Sequence, residues 1–243
     1  MQQDWQERTR QLLGDDAVEQ LRRARVLVFG LGGVGSYAVE ALARAGVGTL
    51  GLVDKDCVQL SNCNRQLYAL RSTIGERKTD VARRRIADIA PDTHVVVYPI
   101  FYLPETAGKI DFGQYDCVID AIDTVTAKLD LVQQCARHGI AYIGVMGTGN
   151  KLDPTRLHAG DLNDTRVCPL ARVMRKECKA RGLERVQVIW SDEEPAQAGG
   201  VLSRIPASLV TVPASAGLLA ASRALDAILH PARSVPVCRQ VKL

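Results

Sequence analysis

The 243 residues carry 31 Lys and Arg against 27 Asp and Glu, a formal net charge of +4, with 47% hydrophobic and 24% charged residues. That composition is ordinary for a folded chain and excludes intrinsic disorder or a polyelectrolyte tail. Seven cysteines, at 57, 63, 117, 135, 168, 178 and 238, form no CxxC pair, so neither a disulfide framework nor a zinc site is expected.

The amino terminus, MQQDWQERTRQ, is polar and lacks the apolar core of a signal peptide. The apolar stretch 209–222 is too short for a bilayer span and contains Pro213 and Gly217. No membrane association and a cytoplasmic location are therefore expected.

Strand-length apolar runs recur along the chain. Residues 26–29, 49–53, 94–100, 117–119 and 141–145 read as strands, and 34–45, 76–90 and 124–138 read as helices. Such alternation predicts an α/β fold: a Rossmann-like, doubly wound, mostly parallel sheet with helices on both faces. Pro91-Asp92 closes one helix, and Gly139 stands where a helix C-cap is expected. Beyond Gly149 the rhythm changes. A basic helix is predicted over 169–180, a strand over 186–190, a polar loop over 192–200, and a final helix from Pro213 to near His230. With neither repeat nor linker, one domain spanning 1–243 is expected: an amino-terminal helical arm (1–24), a nucleotide-binding core (25–150) and an elaborated carboxyl-terminal half (151–243).

The first strand runs into Gly30-x-Gly32-Gly33-x-Gly35 and then a helix. Glycines there let the backbone approach a ligand, and the helix amides favour an anion. Asp54 ends the second strand, where a carboxylate can bond ribose hydroxyls. Alone, that pattern suits a dinucleotide, and an NAD-dependent oxidoreductase is one reading. However, Ser61, Asn62, Asn64, Arg65, Gln66, Lys78, Asp120 and Asp123 fall near the same strand ends, and hydride transfer needs no such set. Attack on the α-phosphate of ATP does: cations stabilise the phosphoryl oxygens, and a carboxylate holds the magnesium that neutralises pyrophosphate. Singly, Arg65 and Lys78 read as surface cations, Asp120 as a strand-end carboxylate and Asp123 as a helix cap.

Together, "GLGGVGS", "LVDKDCVQLSNCNRQ", Lys78 and "DAIDT" resemble the ThiF-type adenylating fold shared by ubiquitin-activating enzymes and bacterial activators of sulfur-carrier proteins. The resemblance implies that ATP and magnesium are bound by Gly33, Asp54, residues 61–65, Lys78, Asp123 and Thr124. It also implies a homodimer in which an amino-terminal arginine, Arg8 or Arg10, reaches the neighbouring subunit's phosphates. Catalytic roles fall to Arg65, Lys78 and Asp123, with Asp123 as the metal ligand.

The second half, "MGTGNKLDPTRLHAGDLNDTRVCPLARVMRKE" and "VPASAGLLAAS", resembles the tRNA threonylcarbamoyladenosine dehydratase branch of that fold rather than the zinc-bearing sulfur-carrier activators. This implies ATP-dependent activation of the threonine carboxylate of the modified adenosine beside the anticodon, then ring closure and release of AMP. On that reading residues 151–243 face the tRNA, and Arg172, Arg175, Lys176 and Lys179 are candidate phosphate contacts. Activation of a sulfur carrier remains the alternative enzyme reading, and a silent tRNA-binding protein the non-enzymatic one. A sulfur-transfer protein partner and a monovalent ion near 147–150 stay open. Cys168 reads as a buried thiol, and His138 and His158 have no catalytic partner pattern.

Overall fold

A computed structural model describes residues 4–196, 206–231 and 238–239. Part of the 192–200 loop expected from the sequence lies outside the described residues.

Two short helices, α1 (Glu7–Leu13) and α2 (Asp15–Arg23), form the amino-terminal arm and lead into β1 (Arg25–Phe29). There follow α3 (Gly35–Ala45), β2 (Thr49–Val53), α4 (Lys78–Ile89), β3 (His94–Tyr98), β4 (Cys117–Asp120), α5 (Val125–His138) and β5 (Ala141–Val145). The carboxyl-terminal half adds β6 (Leu157–Asp161), α6 (Pro169–Ala180), β7 (Leu183–Glu184), β8 (Gln187–Ser191), α7 (Thr211–Leu229) and β9 (Cys238–Arg239).

Seven strands form one sheet in the order β3-β2-β1-β4-β5-β8-β6, parallel except for β6, which runs antiparallel to β8 at the edge. Residues 26–29 of β1, 50–53 of β2 and all of β4 are buried, as expected for strands covered on both faces. One core cluster packs α3, α4 and α7 against the sheet, and a second packs α5, α6 and the aromatic trio Phe29, Tyr102 and Phe112 against the other face.

One strand was not foreseen, and one expected strand is shorter. Residues 157–161 (LHAGD) lack a β-branched run, yet they form β6 because β8 offers an unpaired ladder. β3 stops at Tyr98, since Pro99 has no amide to continue the pairing, so Ile100 and Phe101 leave the sheet. The final helix, Thr211–Leu229, agrees with the expected Pro213 to near His230 to within two residues. At 19 residues, α7 has the length and apolarity of a membrane span, but Ala216, Ala220, Ala221 and Ala224 are fully buried against α3 and the sheet. The small side chains allow a close crossing: a Cβ on Gly217 would stand 2.2 Å from the Val34 carbonyl oxygen.

Candidate active site

The carboxyl ends of β1, β2 and β4 open into a cavity of about 250 Å³. Its lining includes Gly30, Gly32, Asp54, Lys78, Asp123 and Thr124, six of the residues expected from the sequence. Gly35 shapes the floor from below. A Cβ there would lie 1.7 Å from the Gly30 carbonyl oxygen, so only glycine lets α3 start this close to the end of β1.

Asp54 and Lys78 form the charged wall. The Asp54 carboxylate accepts the Leu31 amide at 2.7 Å and the Asp56 amide at 2.8 Å, which ties the glycine loop to the end of β2. Each oxygen keeps a lone pair for a ligand hydroxyl. Lys78 opens α4, and its side chain is 7% exposed. A buried, unpaired ammonium would be prohibitive; here Nζ lies 3.1 Å from Asp56 Oδ2 and 3.8 Å from Asp54 Oδ2. A phosphate entering the cavity would meet a cation already desolvated and held in place.

Asp123 stands opposite, exposed at the cavity mouth. The N-cap of α5 is Thr124, not Asp123, and the Asp123 carboxylate has no hydrogen bond or ion pair among the described residues. The capping role therefore does not account for it. No three His, Cys, Asp or Glu side chains converge among the described residues. One free carboxylate facing a cation-lined cavity fits magnesium, which is commonly held by one or two carboxylates plus substrate phosphates.

Asp120 departs from expectation. It is fully buried, paired with Lys128 at 3.1 Å, and accepts the Tyr142 hydroxyl at 2.6 Å, so it does not converge on the cavity. Residues 61–65 lie on a neighbouring rim. Asn62 is buried and caps its own turn, its Oδ1 accepting the Gln59 amide at 3.1 Å. Ser61 offers its carbonyl, and Asn64 its Oδ1, to Arg65 NH1; Asn64 also donates to the Ser208 carbonyl at 3.0 Å. Arg65 flanks the glycine loop: a Cβ on Gly33 would be 3.3 Å from Arg65 Cγ. Gln66 is buried beside Gly32.

Sequence reasoning missed the opposite wall. Ile100, Phe101, Tyr102 and Ile122 give the cavity an apolar side, and the Lys55 ammonium sits 4.3 Å from the centre of the Phe101 ring. The proline after Tyr98 was the available signal.

The remaining candidates separate by their contacts. Arg10 is held by Asp15 at 2.5 Å and Asp4 at 3.0 Å, whereas Arg8 is exposed and has no partner among the described residues. On α6, Arg172, Lys176 and Lys179 are exposed. Arg175 differs: its NH1 is bonded to the Thr165 hydroxyl and, at 2.7 Å, to the Thr165 carbonyl, so it braces the turn before the helix instead of standing free for phosphate. Cys168 is buried at the α6 N-cap. His138 stacks on Phe112, and His158 lies 3.2 Å from Asp192, on the edge pair β6–β8.

Residues 6–242 match the ThiF family. The chain belongs to that family. It is 46% identical over 185 residues to the tRNA threonylcarbamoyladenosine dehydratase of Bacillus subtilis, a match covering 75% of this chain and 72% of that protein. The Escherichia coli protein of the same name is 39% identical, over 72% of this chain and 67% of its own. A crystal structure of the E. coli dehydratase in complex with ATP superposes with a TM-score of 0.86 at 35% identity, covering 94% of this chain and 96% of that one. The ThiF-family assignment and the structural match thus agree on the fold.

Proposed function

We propose that this ThiF-family chain is an ATP-dependent tRNA threonylcarbamoyladenosine dehydratase. The observation that carries the reading is one cavity bordered by a desolvated lysine, Lys78, and a carboxylate without a partner among the described residues, Asp123, with the glycine loop between them. Relatives bearing the dehydratase name, and a structure of one of them with ATP, support the same reading.

The chemistry follows from the groups present. A carboxylate is a poor electrophile because oxide must leave; once esterified to AMP, it has a good leaving group. One threonine carboxylate oxygen attacks the α-phosphorus of ATP and the bond to pyrophosphate breaks. The ureido nitrogen of the same nucleoside then attacks the carbonyl carbon, gives up its proton, and expels AMP as the ring closes. Both partners of the second step sit in one molecule, so proximity supplies much of its acceleration. Lys78 and Arg65 stabilise charge on the phosphoryl oxygens, and Asp54 bonds the ribose. Magnesium, when bound, neutralises the departing pyrophosphate, and Asp123 is the protein group that would hold it. Phe101 and Ile100 offer an apolar face to the base.

The working unit is a homodimer in the cytoplasm. Trp5, Leu12 and Leu13 leave apolar surface on the amino-terminal arm, 48%, 82% and 41% exposed, which supports a dimer contact there, and the exposed Arg8 of the same arm is the residue we assign to a partner subunit's phosphates. The exposed cations of α6, Arg172, Lys176 and Lys179, bind the tRNA backbone.

The deciding experiment incubates modified tRNA with the protein, ATP and magnesium, and analyses nucleosides and nucleotides together. Conversion to the cyclic nucleoside with equimolar AMP and pyrophosphate is expected. Unchanged nucleoside, or cyclisation without ATP cleavage, refutes the assignment.

A further inference from the structure

Beneath the cavity, Lys128 and Asp120 are both fully buried. Lys128 Nζ lies 3.1 Å from Asp120 Oδ1 and donates to the carbonyls of Val145 at 2.9 Å and Asp120 at 3.4 Å. The Tyr142 hydroxyl donates to the other Asp120 oxygen at 2.6 Å, and the Ile122 amide donates to Oδ1 at 3.2 Å. β4 pairs Asp120 opposite Gly144 of β5. A Cβ on Gly144 would stand 2.6 Å from the Tyr142 hydroxyl oxygen, so the phenol reaches the carboxylate across a strand position that must be bare.

One ammonium thus joins the end of β4, the end of β5 and the first turn of α5. Residues 121–124 arch over this junction with Asp123 at the crest. The arch is tied at one foot by the Ile122 amide on Asp120 and at the other by the Lys128 amide on the Thr124 carbonyl at 3.0 Å. Stability does not explain the arrangement, because buried ion pairs can often be replaced by apolar residues of similar volume without loss. A fixed arch does explain it: the network restrains the backbone on both sides of the residue facing the cavity.

We infer that Lys128, Asp120 and Tyr142 form a positioning network that holds Asp123 in the geometry needed for magnesium–nucleotide binding. The inference rests on the reading of Asp123 given above. None of the three lines the cavity; they act through the arch.

Two full-length variants test it. Tyr142→Phe removes one hydrogen bond and keeps the ion pair. Lys128→Met combined with Asp120→Asn replaces the pair by neutral groups of similar volume. Thermal unfolding, hydrogen exchange of the 121–124 amides, and calorimetric affinity for ATP with and without magnesium are measured on each. Both variants are expected to fold, to bind magnesium-free ATP as the parent does, and to exchange the arch amides faster. The magnesium-dependent gain in ATP affinity should fall by about tenfold in the double variant and by less in Tyr142→Phe, in line with the loss of charged hydrogen bonds. If the double variant does not fold, Tyr142→Phe decides alone. Unchanged exchange and an unchanged magnesium gain overturn the inference. A parent protein that fails to bind ATP overturns instead the adenylating function on which it rests.

Discussion

Leu31 and Asp54 are joined across the carboxyl edge of the sheet, the amide of one donating to the carboxylate of the other at 2.7 Å. The glycine loop is therefore held by the same carboxylate that neighbours Lys78. Removing Lys78 takes away the buried partner of Asp54 and Asp56, whereas removing Arg65 takes away exposed hydrogen bonds to Ser61 and Asn64. Lys78→Ala and Arg65→Ala are each expected to slow ATP–pyrophosphate exchange, by about 3 kcal/mol of barrier by analogy with lost oxyanion donors. Lys78→Ala should lower the unfolding temperature more than Arg65→Ala, because it strips Asp54 and Asp56 of a buried partner. Near-normal exchange in both variants would remove these residues from the site.

Asp123→Asn keeps the shape of the side chain and removes a ligand charge. Thr124, not Asp123, caps α5, so the unfolding temperature should match the parent. Turnover is expected to fall by about a hundredfold or more, with the magnesium concentration for half-maximal rate raised. A fully active variant would return Asp123 to the surface.

Phosphate contacts report themselves through salt. Replacing Arg172, Lys176 and Lys179 together by Ala should flatten the dependence of log affinity for tRNA on log salt by about one unit per lost contact, leaving ATP affinity unchanged. Arg175→Ala, by contrast, breaks the brace on Thr165 and should lower stability with little change in slope. An unaltered slope in the triple variant makes that face of α6 merely solvated.

The amino-terminal arginines divide by their partners. Arg8→Ala is expected to lower adenylation while the arm stays folded; Arg10→Ala loosens the arm by freeing Asp4 and Asp15. Mixing Arg8→Ala subunits with subunits lacking Lys78 gives the decisive result. If Arg8 serves the neighbour, some mixed dimers carry one intact site and activity returns. Absence of any recovery under subunit exchange would assign Arg8 to its own subunit's site, and full activity of Arg8→Ala alone would place it outside any site.

Acid should act at one interhelical link. Glu40 of α3 receives Arg85 of α4 at 2.7 and 2.9 Å and Arg44 at 2.8 Å. Burial by itself would raise the Glu40 carboxyl; the guanidinium groups of Arg85 and then Arg44 outweigh it and hold the carboxyl below its ordinary 4.5. A folded value below the unfolded one gives stability that is complete above the unfolded value and is lost as pH falls through the folded one. The two arginines are 40% and 59% exposed, which limits the link to about 1 kcal/mol. The stability difference between the parent and Glu40→Gln should thus be constant near neutrality and shrink below about pH 4.5. Denaturant midpoints with the same gap at about pH 3.5 and about pH 6.5 would contradict the assignment.

Most of the parallel sheet could be read because each strand is a run of apolar residues bracketed by turns. β2 and β5 match their expected bounds, and α6 matches at both ends because Pro169 opens it and Arg181-Gly182 follows it. β6 was illegible because nothing local makes LHAGD a strand; its partner β8 does. The aspartates in "DAIDT" could not be sorted from sequence, since which one turns inward is decided by a lysine eight residues after the first. Lys128 itself gave a signal that was overlooked: with Leu131, Val132 and Cys135 it falls on the buried stripe of α5, where a surface lysine has no place.

The contact between Gly217 and Val34 sets an order of events during synthesis. α7 comes from the last fifth of the chain, yet it completes the packing around α3, whose first turn carries the glycine loop. Residues 25–150 therefore leave the ribosome with α3 and α4 covering only part of one sheet face, and the nucleotide cleft gains its final support only when the carboxyl-terminal helix docks. A ribosome stalled before codon 211 would display a polypeptide with an exposed apolar face, a substrate for chaperones rather than for ATP.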